Sequence, residues 1–304
     1  QVKRKLSVDR RLILQSLLAL GGTAALPLRA ASQTAAPAPL LTHRIPSSGE
    51  ATPVIGLGSW ITFNVGNDPA ARAECTAVMR QFFAAGGRMI DSSPMYGSAQ
   101  EVIGEGLQKL GRPAGLFSAD KVWTSSNGPG QIADSRRKWQ VSKFDLLQVH
   151  NLLAWEQHLP TLFAMKKAGQ LRYVGITTSE GRRHADILKI MASQPIDFVQ
   201  VTYNAIDREV EQRILPLARE RRIAVSGNRP RRQGELTEAL RRHPLPAWAA
   251  EIGCKSWAQI LLKFIVSHPD ITCAIPATSQ VAHVRENMAA GSGPMPYAAF
   301  RKRI

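Results

Sequence analysis

RMIDSSPMYG, residues 88–97, is the stretch that decides the fold. Met89 and Ile90 suit a buried strand, Asp91 ends the run with a charge, Pro94 and Gly97 break the chain, and Tyr96 follows at once. The pattern returns downstream. LFSADKVW (116–123) is a short apolar run carrying Lys121 near its end, and FDLLQVH (144–150) ends on His150. Charged side chains are rarely set at the ends of apolar strands without partners. In a strand–helix repeat the ends of successive strands meet on one rim. A carboxylate, a phenol, an ammonium and an imidazole delivered there would form a proton-transfer site.

Working outward, five further strand-like runs appear: VIGLGSW (54–60), RYVGITT (172–178), FVQVTYN (198–204), IAVSGN (223–228) and TCAIPAT (272–278). Amphipathic stretches separate the runs, and several end in Gly, a natural helix stop. Eight strands each followed by a helix is the count for a closed parallel barrel, so the fold class is α/β, a single-domain (β/α)8 TIM barrel over residues 41–304. An open doubly wound sheet is the alternative. It would want G-x-G-x-x-G after its first strand, and Gly56-Leu57-Gly58-Ser59-Trp60-Ile61 lacks the third Gly. The segment before residue 58 suits a small hairpin capping the bottom of the barrel.

The 304 residues are 44% hydrophobic, ample for one large core, and the net charge is +16. The positive side chains are scattered over helices (Arg136, Arg137, Lys138; Arg219, Arg221, Arg222), without the aromatic interleaving of a single-strand platform. No nucleic-acid partner is expected. Cys75, Cys254 and Cys273 are far apart and odd in number, and the histidines form no ligand cluster, so neither a disulfide framework nor a metal is expected. Residues 1–40 read as an export signal and linker. Lys3-Arg4-Lys5 form a positive start, Asp9-Arg10-Arg11-Leu12-Ile13-Leu14-Gln15 resembles the twin-arginine motif, and an apolar stretch and an Ala/Pro/Ser/Thr tract follow. That stretch is too short and too broken for a stable membrane span. A periplasmic or exported protein is expected, a cytoplasmic one being the alternative. Nothing in the sequence fixes the oligomeric state.

Carbonyl reduction needs a hydride on carbon and a proton on oxygen from a donor within hydrogen-bond reach. A free Tyr has a pKa of roughly 10, and a nearby ammonium lowers it. Lys121 could act so on Tyr96, Asp91 could hold Lys121, and His150 could orient the carbonyl. Each residue alone has a bland reading, as a loop cap, a core aromatic, a surface charge or a satisfied histidine. The four together at successive strand ends do not.

At this point the chain resembles the aldo-keto reductase superfamily from about residue 44 to 300. The matching stretches are GLGSW (56–60), IDSSPMYG (90–97), DK (120–121), DLLQVHN (145–151), GQLRYVGIT (169–177), QVTYN (200–204) and IPATSQVAHVREN (275–287). The resemblance implies a (β/α)8 barrel binding NADPH in an extended pose. It also implies a tetrad of Asp91, Tyr96, Lys121 and His150, with Tyr96 as general acid and a small carbonyl compound as substrate. For the cofactor it implies contacts from Ser59, Trp60 and Asp91, and from Gln200 at the nicotinamide amide. Thr177 and Thr178 stand where the family often has Ser-Asn. Asn228, Arg229 and Pro230 stand where many members place an aromatic. Pro276, Thr278, Ser279, Glu286 and Asn287 match the pyrophosphate and adenosine segment. His283 replaces an Arg that pairs with the 2′-phosphate and Ala277 a Lys, with Arg285 a compensating candidate, so NADH is possible beside NADPH. Trp60 and Phe63 are expected to line the substrate pocket.

Two other functions fit parts of the pattern: a nicotinamide-binding regulatory or structural subunit with little turnover, and a phosphate-sugar barrel enzyme without redox chemistry. The complete Tyr–Lys–His set favours the NAD(P)H-dependent aldehyde or ketone reductase over both.

Overall fold

A computed structural model describes residues 38–304. The twin-arginine reading falls on residues outside the described ones. The chain enters with a hairpin, β1 (Thr42–Arg44) antiparallel to β2 (Ala51–Pro53). The barrel strands follow as β3 (Leu57–Gly58), β4 (Met89–Asp91), β5 (Phe117–Val122), β6 (Phe144–Val149), β7 (Leu171–Thr177), β8 (Phe198–Thr202), β9 (Ala224–Asn228) and β10 (Cys273–Ala274). Each pairs in parallel with the next in chain order. Parallel neighbours need long crossovers, and helices supply them. These are α1 (Pro69–Ala84), α2 (Ala99–Lys109), α3 (Gly128–Trp139), α4 (Trp155–Lys167), α5 (His184–Ser193), α6 (Ile214–Arg221), α7 (Glu235–Leu240), α8 (Trp257–Val266) and α9 (Val281–Ala290), with α10 (Ala298–Arg301) ending the chain. Among the described residues no helix is long and apolar enough to cross a membrane.

The sheet closes on itself. Parallel bridges Ile55↔Ala274 and Gly58↔Ala277 join the first and last strands. Gly56 N–H donates to Ala274 O at 2.8 Å and Gly58 N–H to Pro276 O at 3.0 Å. Closure makes this the expected (β/α)8 barrel and excludes the open doubly wound sheet. The seam is short, since β3 and β10 have two residues each. It is also tight: a Cβ on Gly58 would sit 2.8 Å from the Ile275 carbonyl oxygen.

Along each strand the inward positions change character from bottom to top. The lower interior is apolar, with Met89, Phe117, Leu146, Tyr173 and Phe198 in one cluster. Ile45, from the turn of the expected hairpin, is fully buried in that cluster and plugs the bottom. Further along stand Asp91, Gln148 and Gln200, two residues past Met89, Leu146 and Phe198, and Lys121, two past Ala119 of the same cluster, all buried. This is the period of two of a strand, with the apolar end anchoring the barrel and the polar end facing its mouth.

The long connection after β9 departs from a simple strand–helix unit. Residues 229–256 hold a one-turn helix, α7 and a six-residue 3₁₀ segment (Ala247–Ile252) before α8 begins on the Ser256 cap. The sequence pattern assigns no element there, because the turns are short.

Gly58→Ala should therefore weaken the barrel at its closing seam. The added methyl meets backbone and cannot be accommodated by a rotamer change, and overpacking of this kind costs about 1–3 kcal/mol. Thermal unfolding should show a melting temperature lower by several degrees. A Gly58→Ala protein that melts with the wild type would show that the seam has slack.

Candidate active site

The strand ends bring the four sequence-selected side chains together. Asp91 is the last residue of β4, Lys121 lies near the end of β5, and His150 follows β6 directly. Tyr96 lies on the turn after β4, where Tyr96 N–H donates to Ser93 O at 3.0 Å. Lys121 is fully buried and Asp91 is 2% exposed. The Lys121 ammonium donates to Asp91 Oδ1 at 2.6 Å and to Ser92 O at 2.8 Å. Its Nζ lies 5.1 Å from the centre of the Tyr96 ring. The Tyr96 and His150 rings meet edge to face with centroids 5.6 Å apart.

Asp91 is held from several sides. Its Oδ2 accepts from Gln200 Nε2 at 3.0 Å and from Gln148 Nε2 at 3.4 Å, and its carbonyl accepts from Ser59 Oγ at 2.8 Å. Gln148 escapes a search for reactive residues, yet the strand period points to it. It stands two positions before His150 on the inward face, where a polar residue needs a partner. Asp120, on the other face of β5, accepts from Gln100 of α2 at 2.7 Å and from Lys121 N–H at 2.8 Å. Burial pushes its pKa up to about 7, against the pull of these hydrogen bonds and of Lys121.

The electrostatics differ in one respect from the sequence expectation. Lys121 does draw the Tyr96 pKa down, but burial pushes it up more strongly and Asp91 and Asp120 add to the rise, so the phenol stays above its ordinary value. Burial opposes the Lys121 charge, but Asp91 and Tyr96 outweigh it and hold the ammonium above its ordinary pKa. His150 is pushed down to about 2 by burial and by the charges of Lys121 and Arg182. The site at neutral pH is therefore a protonated phenol, an ammonium paired with a carboxylate, and a neutral imidazole.

These groups stand at one end of a cleft of about 1130 Å³, larger than an ordinary small-ligand pocket. It runs from Trp60, Tyr96 and His150, past Thr177, Thr178, Gln200 and Asn228, to Thr278, Ser279, His283 and Glu286. Ser59, Asp91, Arg229 and Pro230 also line it. Trp60 is 37% exposed at the rim, its ring 6.5 Å from that of Tyr96, with the Arg229 guanidinium 6.0 Å from its face. Arg229 also pairs with Glu180 at 3.1 Å.

Other expected positions fall elsewhere. Phe63 is fully buried in the main core and does not reach the cleft, because a tight turn, with Phe63 N–H donating to Ser59 O at 3.1 Å, carries its ring away from Trp60. Pro276 contributes its carbonyl to the barrel seam and Asn287 is buried, accepting from Arg231 Nη1 at 3.2 Å. Arg285 turns outward to Gln81 Oε1 at 3.0 Å and does not line the cleft. Arg231, which sequence reading passes over, does line it. Burial holds its guanidinium below the ordinary pKa, with Glu286 opposing. Much of the remaining wall comes from the long connection after β9, including Gln233, Thr237, Arg241 and Leu245. The unusual length of that connection was its signal, since long connections in compact domains tend to carry function.

The chain is 27% identical over 247 residues to methylglyoxal reductase YeaE of Escherichia coli, covering 78% of this chain and 84% of that one. It is 22% identical to an NADH-specific methylglyoxal reductase of the same organism, covering 78% and 89%. Its fold matches an aldo/keto reductase from Klebsiella pneumoniae, solved with NADP and acetate, at a TM-score of 0.72 and 24% identity, covering 86% of this chain and 93% of that one. The family model for aldo/keto reductases matches residues 54–301, and the chain belongs to the aldo/keto reductase family.

Proposed function

We propose that the protein reduces small aldehydes or ketones to alcohols with NADPH or NADH, Tyr96 delivering the proton. The observation that carries this reading is the assembly of Tyr96, the Lys121–Asp91 ion pair and neutral His150 at a cleft of about 1130 Å³ that continues to the N-terminus of α9. The names of the two Escherichia coli relatives suggest methylglyoxal as the first substrate to test.

The cleft suits the cofactor on its own chemistry. Thr178 Oγ1 is buried at the cleft with no hydrogen-bond partner among the described residues, and a carboxamide is a fitting partner. Gln200 and Thr177 stand beside it on neighbouring strands. At the other end, the N-terminus of α9 presents free N–H groups, and Arg231 and His283 line the same region. Helix N-termini and guanidinium groups suit phosphates. A bound nicotinamide supplies the hydride. The protein's part is to hold the carbonyl oxygen near Tyr96 and His150 and to pass it a proton. Burial keeps Tyr96 in its acid form, and Lys121 stabilises the phenolate left behind.

Tyr96→Phe should abolish turnover while leaving dinucleotide affinity close to wild type, because the ring is kept and only the hydroxyl is lost. General acid catalysis is typically worth about 10²–10⁴-fold. Near-native reduction of methylglyoxal and simple aldehydes by the variant would remove Tyr96 from its role.

The rate of reduction should be flat through weakly acid and neutral pH and fall only at alkaline pH. Tyr96 must keep its proton to donate it, and its pKa is raised, so the loss comes late. His150, at about 2, adds no limb between pH 5 and 7. A limb in that range that vanished in His150→Asn would contradict a neutral imidazole. The same depressed pKa means that His150 contributes stability above pH 6.5, lost as pH falls through the range down to about 2, because the unfolded chain takes up a proton that the folded site refuses.

His283→Arg should raise affinity for NADPH more than for NADH. His283 lines the cleft with its Nδ1 3.3 Å from Thr278 Oγ1, and a guanidinium there would add a permanent charge and bidentate donors. A charge-assisted hydrogen bond is worth roughly 1.5–3 kcal/mol, about tenfold or more in the dissociation constant. Fluorescence titration with both cofactors checks it. Equal gains for the two would mean that position 283 does not meet the 2′-phosphate.

A further inference from the structure

The imidazole of His150 has two ring nitrogens, and only one of them is free to face the carbonyl. Its Nδ1 lies 2.7 Å from Ser93 Oγ, and both residues are buried. That distance alone does not say which atom donates. The surroundings of Ser93 do. Ser93 precedes Pro94, which has no N–H, so the next backbone donor in the turn is Met95. Met95 N–H donates to Ser93 Oγ at 3.2 Å. A serine hydroxyl has one hydrogen and two lone pairs. Among the described residues no other acceptor is within hydrogen-bond reach of the Ser93 hydroxyl, and Ser93 is fully buried. If Nδ1 carried the ring proton, Ser93 would accept twice and its own hydrogen would be sealed in without a partner, a costly arrangement. If Ser93 donates to Nδ1, the Ser93 hydroxyl, the Nδ1 lone pair and the Met95 N–H are all satisfied.

We infer that Ser93 is a positioning residue that fixes His150 as its Nε2–H tautomer, so that a hydrogen-bond donor faces the substrate carbonyl. This rests on the reductase reading above. In the reduction, the carbonyl carbon takes the hydride and the carbonyl oxygen takes the Tyr96 proton, leaving phenolate. The Nε2–H of His150 donates a hydrogen bond to that oxygen throughout and keeps its proton, and the Ser93 proton stays where it is. In the other tautomer a bare nitrogen lone pair would face the lone pairs of the carbonyl oxygen. The low pKa of His150 removes the doubly protonated alternative. The stretch Asp91-Ser92-Ser93 then serves the whole site: the Asp91 carboxylate and the Ser92 carbonyl hold Lys121, and the Ser93 hydroxyl holds His150.

The test is a two-bond ¹H–¹⁵N spectrum of the full chain labelled with ¹⁵N-histidine, at neutral pH, with His150 assigned by comparison with His150→Asn. The expected spectrum of the wild type shows a protonated Nε2 and a bare Nδ1. Ser93→Ala should mix in the Nδ1–H form and lower kcat roughly tenfold, the scale of one lost hydrogen bond, with the dinucleotide Kd unchanged. Ser93→Thr, which keeps the hydroxyl, should restore both the spectrum and kcat. A wild-type spectrum with Nδ1 protonated overturns the inference, and so does a Ser93→Ala protein whose tautomer or kcat is unchanged. If Ser93→Ala fails to fold, the wild-type spectrum decides alone. The spectrum needs no turnover, so an active Tyr96→Phe protein would sink the reductase reading and leave the tautomer result standing.

Discussion

A lysine ammonium sealed inside a barrel is tolerable only if its charge is met at once, and the site is arranged around that requirement. Breaking a buried pair by removing one partner costs about 3–5 kcal/mol, because the other charge stays uncompensated. Lys121 meets this with Asp91 at 2.6 Å and the Ser92 carbonyl at 2.8 Å. Asp91 in turn engages Gln200 and Gln148 with its second oxygen. The ion pair thus fixes a carboxylate, two amides and an ammonium on β4, β5, β6 and β8. Tyr96 and the cleft floor then take their positions against a rigid polar layer.

That layer explains how one barrel interior can be both a core and a site. On β5 the inward residues run from Phe117 through Ala119 to Lys121, on β6 from Leu146 to Gln148, and on β8 from Phe198 to Gln200. A step of two residues along each strand crosses from packing to chemistry. The hairpin turn and Ile45 close the apolar end, and the cleft opens at the polar mouth.

This division also accounts for what could be read from the sequence. The strands were legible because their apolar runs are continuous, and Asp91, Lys121 and His150 were legible because they interrupt those runs at a shared position. Local period and strand-end placement are short-range information. Contacts across the fold are not, and the misses lie there. Phe63 looked like a rim aromatic beside Trp60, but one tight turn sent it into the core. Arg285 looked like a spare phosphate partner, but Gln81, far away in the chain, holds it on the outside. Arg231 and the wall after β9 carry no periodic signal, since that connection is built of single turns whose arrangement depends on what they pack against. Ser93 and Gln148 lay inside the recognised motifs, yet their roles needed the positions of His150 and Asp91.

The closing seam has one more consequence. The barrel is joined there by two strands of two residues each and isolated bridges, and Gly58, Ala277 and Thr278 on either side of the joint line the cleft. Local opening draws first on the least paired parts of a structure, and a ligand that binds only the closed form adds its binding free energy against that opening. The emptied barrel is therefore the form that proteases and chaperones meet with its joint least protected. A nucleotide bound along the cleft would brace the joint of the barrel as well as serve the site.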